Sequence, residues 1–241
     1  MRTCSVCSSR FPNFYPLARG HLEIAHRLNV FYSADDFETL NVGQYSCPEC
    51  MASDRDRLYA LFATELMNWP EDKPLRILDI APAPVLSGFL RSLPNAVYRS
   101  ADLFSPLADD VVDIMDMNIY ADESFDFIVC SHVLEHVRDD SLAIAELFRV
   151  LAKGGNAILM VPILLTATET DEDPDEKSED ERWARFGQGD HVRMYARHDF
   201  IERLKQGGFQ VDLLGSDVFG NGVFKQHGIT EQSVLYVGRK C

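Results

Sequence analysis

Phe125-Asp126-Phe127-Ile128-Val129-Cys130-Ser131-His132-Val133-Leu134-Glu135-His136-Val137 decides the fold of this chain. Residues 125–130 form a short apolar run rich in strand formers, and the polar cluster Ser131 to His136 follows at its carboxyl end. Asp139-Asp140-Ser141 then offers N-caps for a helix whose apolar residues Ile144, Leu147, Phe148 and Leu151 recur at i, i+3, i+4 and i+7. Lys153-Gly154-Gly155 is expected to stop that helix, and residues 157–161 to form a second buried strand. Strand, crossover helix and strand make a parallel unit, whose ligands sit outside the carboxyl ends of the strands. The cluster from Ser131 to His136 therefore stands where chemistry is done.

Outward from this unit the same alternation continues. Ser53-Asp54 caps an amphipathic helix carrying Leu58, Leu61, Phe62 and Leu66, which ends before Pro70. Strands are expected over 75–80, 96–102 and 111–114, with a helix over 85–93 between the first two. A helix over 196–206 and strands over 209–214 and 233–238 close the chain. The pattern is that of a doubly wound α/β sheet.

The 241 residues are 46% hydrophobic, enough for one domain and a small module. No stretch approaches the ~18 apolar residues of a membrane span, and Met1-Arg2-Thr3-Cys4 lacks a signal-peptide core. A cytoplasmic protein without membrane association is expected. The formal net charge of −15 argues against general nucleic-acid binding. Nine acidic residues against one Lys177 crowd 169–181, which is read as a solvated loop or, functionally, a mobile lid.

Four of the six cysteines form two pairs, Cys4-x-x-Cys7 and Cys47-Pro48-Glu49-Cys50. In a reducing compartment such knuckles are zinc ligands before they are disulfides, and two of them complete a closed tetrahedral structural site. A redox pair or unpaired thiols is the alternative. His21 and His26 lie between the pairs and could replace a thiolate. Residues 1–52 thus read as a zinc-binding module and 53–241 as the main domain. Cys130, in an apolar strand, reads as an inert core thiol.

Acidic residues follow three strands in order: Asp79, Asp102 and Asp116. A carboxylate at the second strand's end can accept both hydroxyls of a ribose, and one after the third can accept an adenine amino group. With Leu78-Asp79, Ala101-Asp102, Asp113-Ile114-Met115-Asp116, the segment His132-Val133-Leu134-Glu135-His136 and Leu147 to Gly155, the chain from about 54 to 240 resembles the class I S-adenosylmethionine-dependent methyltransferases of the type 11-like branch. The resemblance implies a seven-stranded Rossmann-like sheet whose last strand, over 234–237, runs antiparallel. It further implies that Asp79 and the following loop, with Ala81 and Ala83, hold the methionine part of the donor. Asp102 would bind ribose, Asp116 and Met117 would flank adenine, and Leu103 and Ser131 complete the cofactor-binding set. Where the family carries a glycine-rich loop, this chain has Asp79-Ile80-Ala81-Pro82-Ala83-Pro84-Val85. Alanine and proline favour a rigid, extended path there. A rival reading takes His132-x-x-Glu135-His136 as an inverted zinc-protease motif, but the alternating strand context disfavours it.

The second polar cluster is 187–195, with His191 as candidate base and Arg193 as candidate anchor for an anionic substrate group. An ordinary hydrogen-bonded loop is the alternative. His132 is a further catalytic candidate beside the methyl donor. Three functions follow: a methyltransferase acting on a small molecule or sugar-like group; an RNA or protein methyltransferase docking its substrate through the zinc module and Arg55, Arg57 and the N-terminal arginines; and a non-catalytic binding protein. The acceptor atom and oligomeric state are not encoded in any motif.

Overall fold

The computed structural model of the protein describes residues 1–18, 20, 27, 30, 32–70 and 72–241; His21 and His26 lie outside the described residues. Strands β1 (Arg2–Thr3) and β2 (Arg10–Phe11) open the chain as an antiparallel pair. Helix α1 (Asp54–Leu61) starts at Ser53, whose side chain accepts from Asp56 N while Asp56 reaches back to the Ser53 amide. A π-helical turn, Phe62–Leu66, extends it. Next come β3 (Leu75–Ile80), α2 (Pro84–Arg91), β4 (Ala96–Asp102), β5 (Asp110–Val111), β6 (Phe125–Ser131), α3 (Asp140–Val150) and β7 (Leu151–Met160). An excursion of β8 (Asp171–Glu172), α4 (Glu179–Phe186) and β9 (Arg193–Met194) precedes α5 (Arg197–Gln206), β10 (Gln210–Leu214), α6 (Ser216–Phe219), α7 (Val223–His227) and β11 (Leu235–Arg239).

Seven of these strands form one sheet in the order β10-β11-β7-β6-β3-β4-β5. The strands β7, β6, β3, β4 and β5 run parallel, and β11 is antiparallel to both neighbours, so the expected doubly wound sheet with an antiparallel last strand is what forms. Phe125 to Cys130 are all buried, as a central strand covered on both faces requires.

Three local expectations change. The α3 helix ends one residue before Leu151, whose backbone is already extended as it pairs with Phe125. Gly154-Gly155 therefore does not stop a helix but shapes β7 opposite the register shift of β6, and a Cβ at Gly155 would fall 2.8 Å from the Asp126 carbonyl oxygen. The acidic segment is not simply a solvated loop: β8 pairs with β9, and Glu179, Asp180 and Glu181 form the first turn of α4, where carboxylates favour the helix dipole. Asp171 and Asp173 bind Arg185, and Glu172 binds Arg193 and Arg203. Trp183 and Phe186 bury the opposite face of α4.

The cysteine-bearing segment is clasped to the sheet domain by Arg57, which is completely buried. Its Nε donates to the His227 carbonyl (2.6 Å). One terminal nitrogen donates to Tyr45 (2.9 Å) and Ala52 (2.7 Å), and the other to Gln44 (2.7 Å) and Gly228 (3.1 Å). All five guanidinium donors are thus matched to backbone carbonyls. The Phe14 ring lies against the guanidinium at 3.7 Å. Gly228 has φ of +66°, and a Cβ there would stand 2.3 Å from the Phe14 ring, so this contact admits only glycine. Lysine at position 57 has three donors and leaves at least two buried carbonyls unpaired. Arg57→Lys is expected to lower unfolding free energy by about 3 kcal/mol or more in urea titration, and an unchanged midpoint would refute the clasp.

Candidate active site

The order of parallel strands reverses between β3 and β6, where Ile80 pairs with Cys130. Both strands end in a non-glycine residue of left-handed backbone, Ala81 (φ 51°) after β3 and His132 (φ 57°) after β6. Each costs roughly 1–2 kcal/mol, and such strain concentrates at functional sites. Ala81 thereby corrects the expectation of a wholly extended loop. It turns as a glycine would, its N–H on the Ala101 carbonyl at 2.8 Å, and only Ala83, the N-cap of α2, keeps the extended form ahead of Pro84. A loop that adopts the glycine conformation without glycine still fits a donor that needs close backbone approach.

Asp79 is buried at the end of β3 and accepts from Ser87 Oγ (2.8 Å) and Tyr98 Oη (2.7 Å). Burial pushes its carboxyl up to about 6, against the pull of those two hydrogen bonds. Asp102, half-buried at the end of β4, uses Oδ1 to hold the amides of Phe104 and Ser105, both at 2.7 Å, and Leu103 beside it is exposed. Asp116 is exposed, whereas the Met117 side chain is completely buried in the core and its amide donates to Glu146 at 2.7 Å. The Met117 carbonyl accepts from Arg149 and Tyr120, both at 3.0 Å, so side chain and backbone of Met117 are both engaged within the fold. Ser131 Oγ lies 2.8 Å from Tyr59 Oη.

Past Ser131 the wall of a cavity of about 480 Å³ begins, a size suited to a small molecule. The N-terminal segment contributes Tyr32, Phe37 and Tyr45, α1 contributes Arg55, and the strand ends contribute His132, Glu135, His136 and Ile163. Phe186, Gln188 and His191 close the other side. His132 Nε2 faces the Arg55 guanidinium and its Nδ1 lies 3.0 Å from Glu135 Oε1. Burial, with Arg55 beside it, pushes the His132 imidazole down to about 4, against the pull of Glu135. His191 is buried with Nδ1 donating to the Phe186 carbonyl at 3.0 Å, and burial lowers its pKa despite nearby Glu135. Nε2 is its remaining nitrogen.

Arg193 does not face a substrate. It is 2% exposed and donates to the carbonyls of Leu134 (2.6 Å), Val137 (2.6 Å) and Arg138 (3.1 Å), wrapping the turn that follows His132. Arg55, which the RNA- or protein-directed reading needs on a docking face, instead lines the cavity and is its cation among the described residues. The Ser178-x-x-Glu181 pattern ahead of Trp183 and Phe186 was the sequence signal for α4, the helix that delivers Phe186 to the cavity.

The four cysteines come together in the segment that precedes α1. Their thiol sulfurs all lie within 4.8 Å of one another, with Cys4 to Cys50 and Cys7 to Cys47 at 3.8 Å. Four thiolates ~2.3 Å from one zinc ion in tetrahedral array stand about 3.8 Å apart, whereas a disulfide bond is ~2.05 Å. The two knuckles repeat one geometry: the carbonyls of Cys4 and Cys47 accept from Ser8 N (2.8 Å) and Met51 N (3.0 Å), and Ser8 and Met51 both have positive φ. Burial raises the Cys4 thiol to about 11, while hydrogen bonds from Ser9 outweigh burial at Cys7 and bring it to about 7. The donor set fits a structural zinc ion.

Residues 51–214, more than half of the chain, match the family described as a methyltransferase domain. The chain belongs to the methyltransferase-domain family. The expectation of a class I S-adenosylmethionine-dependent methyltransferase is thereby met. No curated protein matches the sequence. Among solved structures, the CurJ carbon methyltransferase is 14% identical with a TM-score of 0.48, over 77% of this chain and 52% of its own. This methyltransferase therefore spans about half the length of that chain. The YcgJ protein of Bacillus subtilis is 15% identical (TM-score 0.42; 69% of this chain, 92% of its own). The Burkholderia thailandensis 1,6-didemethyltoxoflavin-N1-methyltransferase, solved with its substrate and S-adenosylhomocysteine, is 13% identical (TM-score 0.42; 70% and 72%).

The raised carboxyl of Asp79 makes a signed prediction. The unfolded chain releases this proton near pH 3.9, while the native methyltransferase keeps it to about pH 6. Native protein binds more protons across that window, so this group's contribution to stability falls as pH rises from about 4 to 6, by about 3 kcal/mol at most. Asp79→Asn should flatten that part of the pH–stability curve, and denaturant titrations at pH 4.5 and 7 measure the difference.

Proposed function

We propose that this methyltransferase transfers a methyl group from S-adenosylmethionine to a small-molecule acceptor held in the cavity that begins at His132. The carrying observation is that the two strained strand ends, Ala81 and His132, adjoin at the switch point, and that the cavity opens beyond the second of them. When bound, the donor supplies an activated methyl group on a sulfonium centre. Asp79 and the loop of Ala81 and Ala83 would take its methionine portion, Asp102 with Leu103 its ribose, and Asp116 its adenine. Ser131 stands between donor and acceptor. Arg55 and Tyr45 would orient a polar or anionic group of the acceptor, with Phe37 and Ile163 against its apolar part. His191 lines the cavity's far side.

In the same reading Cys4, Cys7, Cys47 and Cys50 hold a structural Zn²⁺, with 1–52 as zinc module, 53–241 as catalytic domain, and the cytoplasm as a compartment that keeps the thiols reduced. Among the described residues no helix is long and apolar enough to cross a membrane. An RNA- or protein-directed enzyme loses support because Arg57, one of the arginines it needs at the surface, is buried.

Calorimetry with S-adenosylmethionine tests the donor: saturable binding is expected, and none at millimolar donor would sink the proposal. Loss of charged hydrogen bonds in Asp102→Ala should weaken binding about tenfold or more. Metal content tests the module: one zinc per four-cysteine cluster is expected, retained through gel filtration and lost in Cys47→Ser.

A further inference from the structure

We propose that Glu135, His136 and His191 bind a divalent transition-metal ion on the wall of the cavity, a second metal site with oxygen and nitrogen ligands. One potential ligand atom from each lies within 4.8 Å of the other two. The three come from separate places, the turn after β6 and the loop between α4 and β9, and the fold ties those places together. Val192 N donates to the Glu135 carbonyl at 2.9 Å, and Arg193 grips the carbonyls of Leu134 and Val137 on either side.

The two imidazoles are already oriented. His191 Nδ1 is engaged by the Phe186 carbonyl at 3.0 Å, and His136 Nδ1 faces the Asp190 carboxylate at 3.4 Å. A histidine that ligates a metal typically engages its other nitrogen in this way, which fixes the tautomer and aims the ring. The rings meet edge to face at 87°, with centroids 4.7 Å apart, so they converge rather than stack.

Glu135 supplies the observation that points to a cation. It is completely buried, and among the described residues neither of its carboxylate oxygens receives an aligned hydrogen bond. Its ion-pair contact among those residues is His132 Nδ1 at 3.0 Å, and no Lys or Arg reaches it. A buried carboxylate in that position is costly unless a cation compensates it. Two imidazoles and one carboxylate suit zinc, iron, manganese or cobalt, and leave coordination positions open. All three residues line the cavity, so those positions face the acceptor. An acceptor oxygen, as hydroxyl or phosphate, is the group such an ion would hold. His191 is then a ligand rather than a base. The site does not depend on the identity of the methyl donor.

Equilibrium dialysis of the full-length protein against Zn²⁺, followed by elemental analysis, is the test. Two zinc ions per chain are expected for the wild type and one for His191→Ala. Dialysis against Co²⁺ tells the sites apart: thiolate charge-transfer absorption persists in the variant, while the second equivalent, which lacks that absorption, disappears. Because His191 is buried, circular dichroism confirms folding, and the half-exposed His136→Gln serves as a second variant, expected to weaken the second ion about tenfold or more. A wild type with no second equivalent, or a second equivalent retained in both variants, overturns the assignment.

Discussion

A guanidinium buried away from water is tolerable only if every donor is matched, and the chain around Arg57 is arranged to meet that condition. Three of its five carbonyl partners, Gln44, Tyr45 and Ala52, flank the second cysteine knuckle; the other two, His227 and Gly228, end α7. Parts of the sequence separated by more than 170 residues are thereby fixed to one helix. The same helix serves the site. Arg55 and Tyr59, four residues apart and so on one face of α1, reach His132 and Ser131 at the end of β6. Arg57 points the other way. One short helix thus joins the cysteine cluster to the place where donor and acceptor would meet.

Arg193 solves a similar problem on the other side of the cavity. Its planar fork gathers the carbonyls of the turn that follows His132 and meets Glu172 of the acidic excursion at 3.1 Å. Three of the nine acidic residues in 169–181 are paired with arginines that follow them: Arg185, Arg193 and Arg203 meet Asp171, Asp173 and Glu172. The excursion is held against the sheet by these pairs and by buried Trp183 and Phe186, which is how His191 comes to stand beside Glu135 and His136. Two arginines that residue type alone suggests as ligand anchors are clamps on the backbone. Among the described residues the cation that faces the cavity is Arg55.

Strain at the strand ends completes the arrangement. Ala81 and His132 turn sharply off adjacent parallel strands, and buried neighbours make the turns obligatory: Ala81 N is held by Ala101, and His132 N by Met160 at 2.8 Å. The cost, a few kcal/mol together, is carried by the fully buried strands behind them. A glycine-rich loop would reach the same conformation without strain. This chain does so with Ala81 ahead of Pro82, and the two prolines of the loop leave it less freedom in the unfolded chain as well.

Periodicity and strand-end chemistry in the sequence determined the alternating sheet, the boundaries of β3 and β4 and the two cysteine knuckles, because each depends on residues close together in the chain; the antiparallel last strand was implied by the family resemblance alone. Tertiary structure decided the rest. Whether a buried arginine binds a substrate or a backbone depends on carbonyls contributed from far along the chain, as His227 and Gly228 are for Arg57, 170 and 171 residues away. Whether Met117 flanks a ligand or fills the core depends on packing against α3. The histidines of the opening motif show the division most clearly. Their spacing invites a metal, their place in an alternating fold argues against a protease, and only the folding back of 187–195 brings His191 within reach of Glu135 and His136. Local sequence specifies the strand and the turn that carry two members of that cluster; the third arrives through long-range hydrogen bonds that no local pattern records.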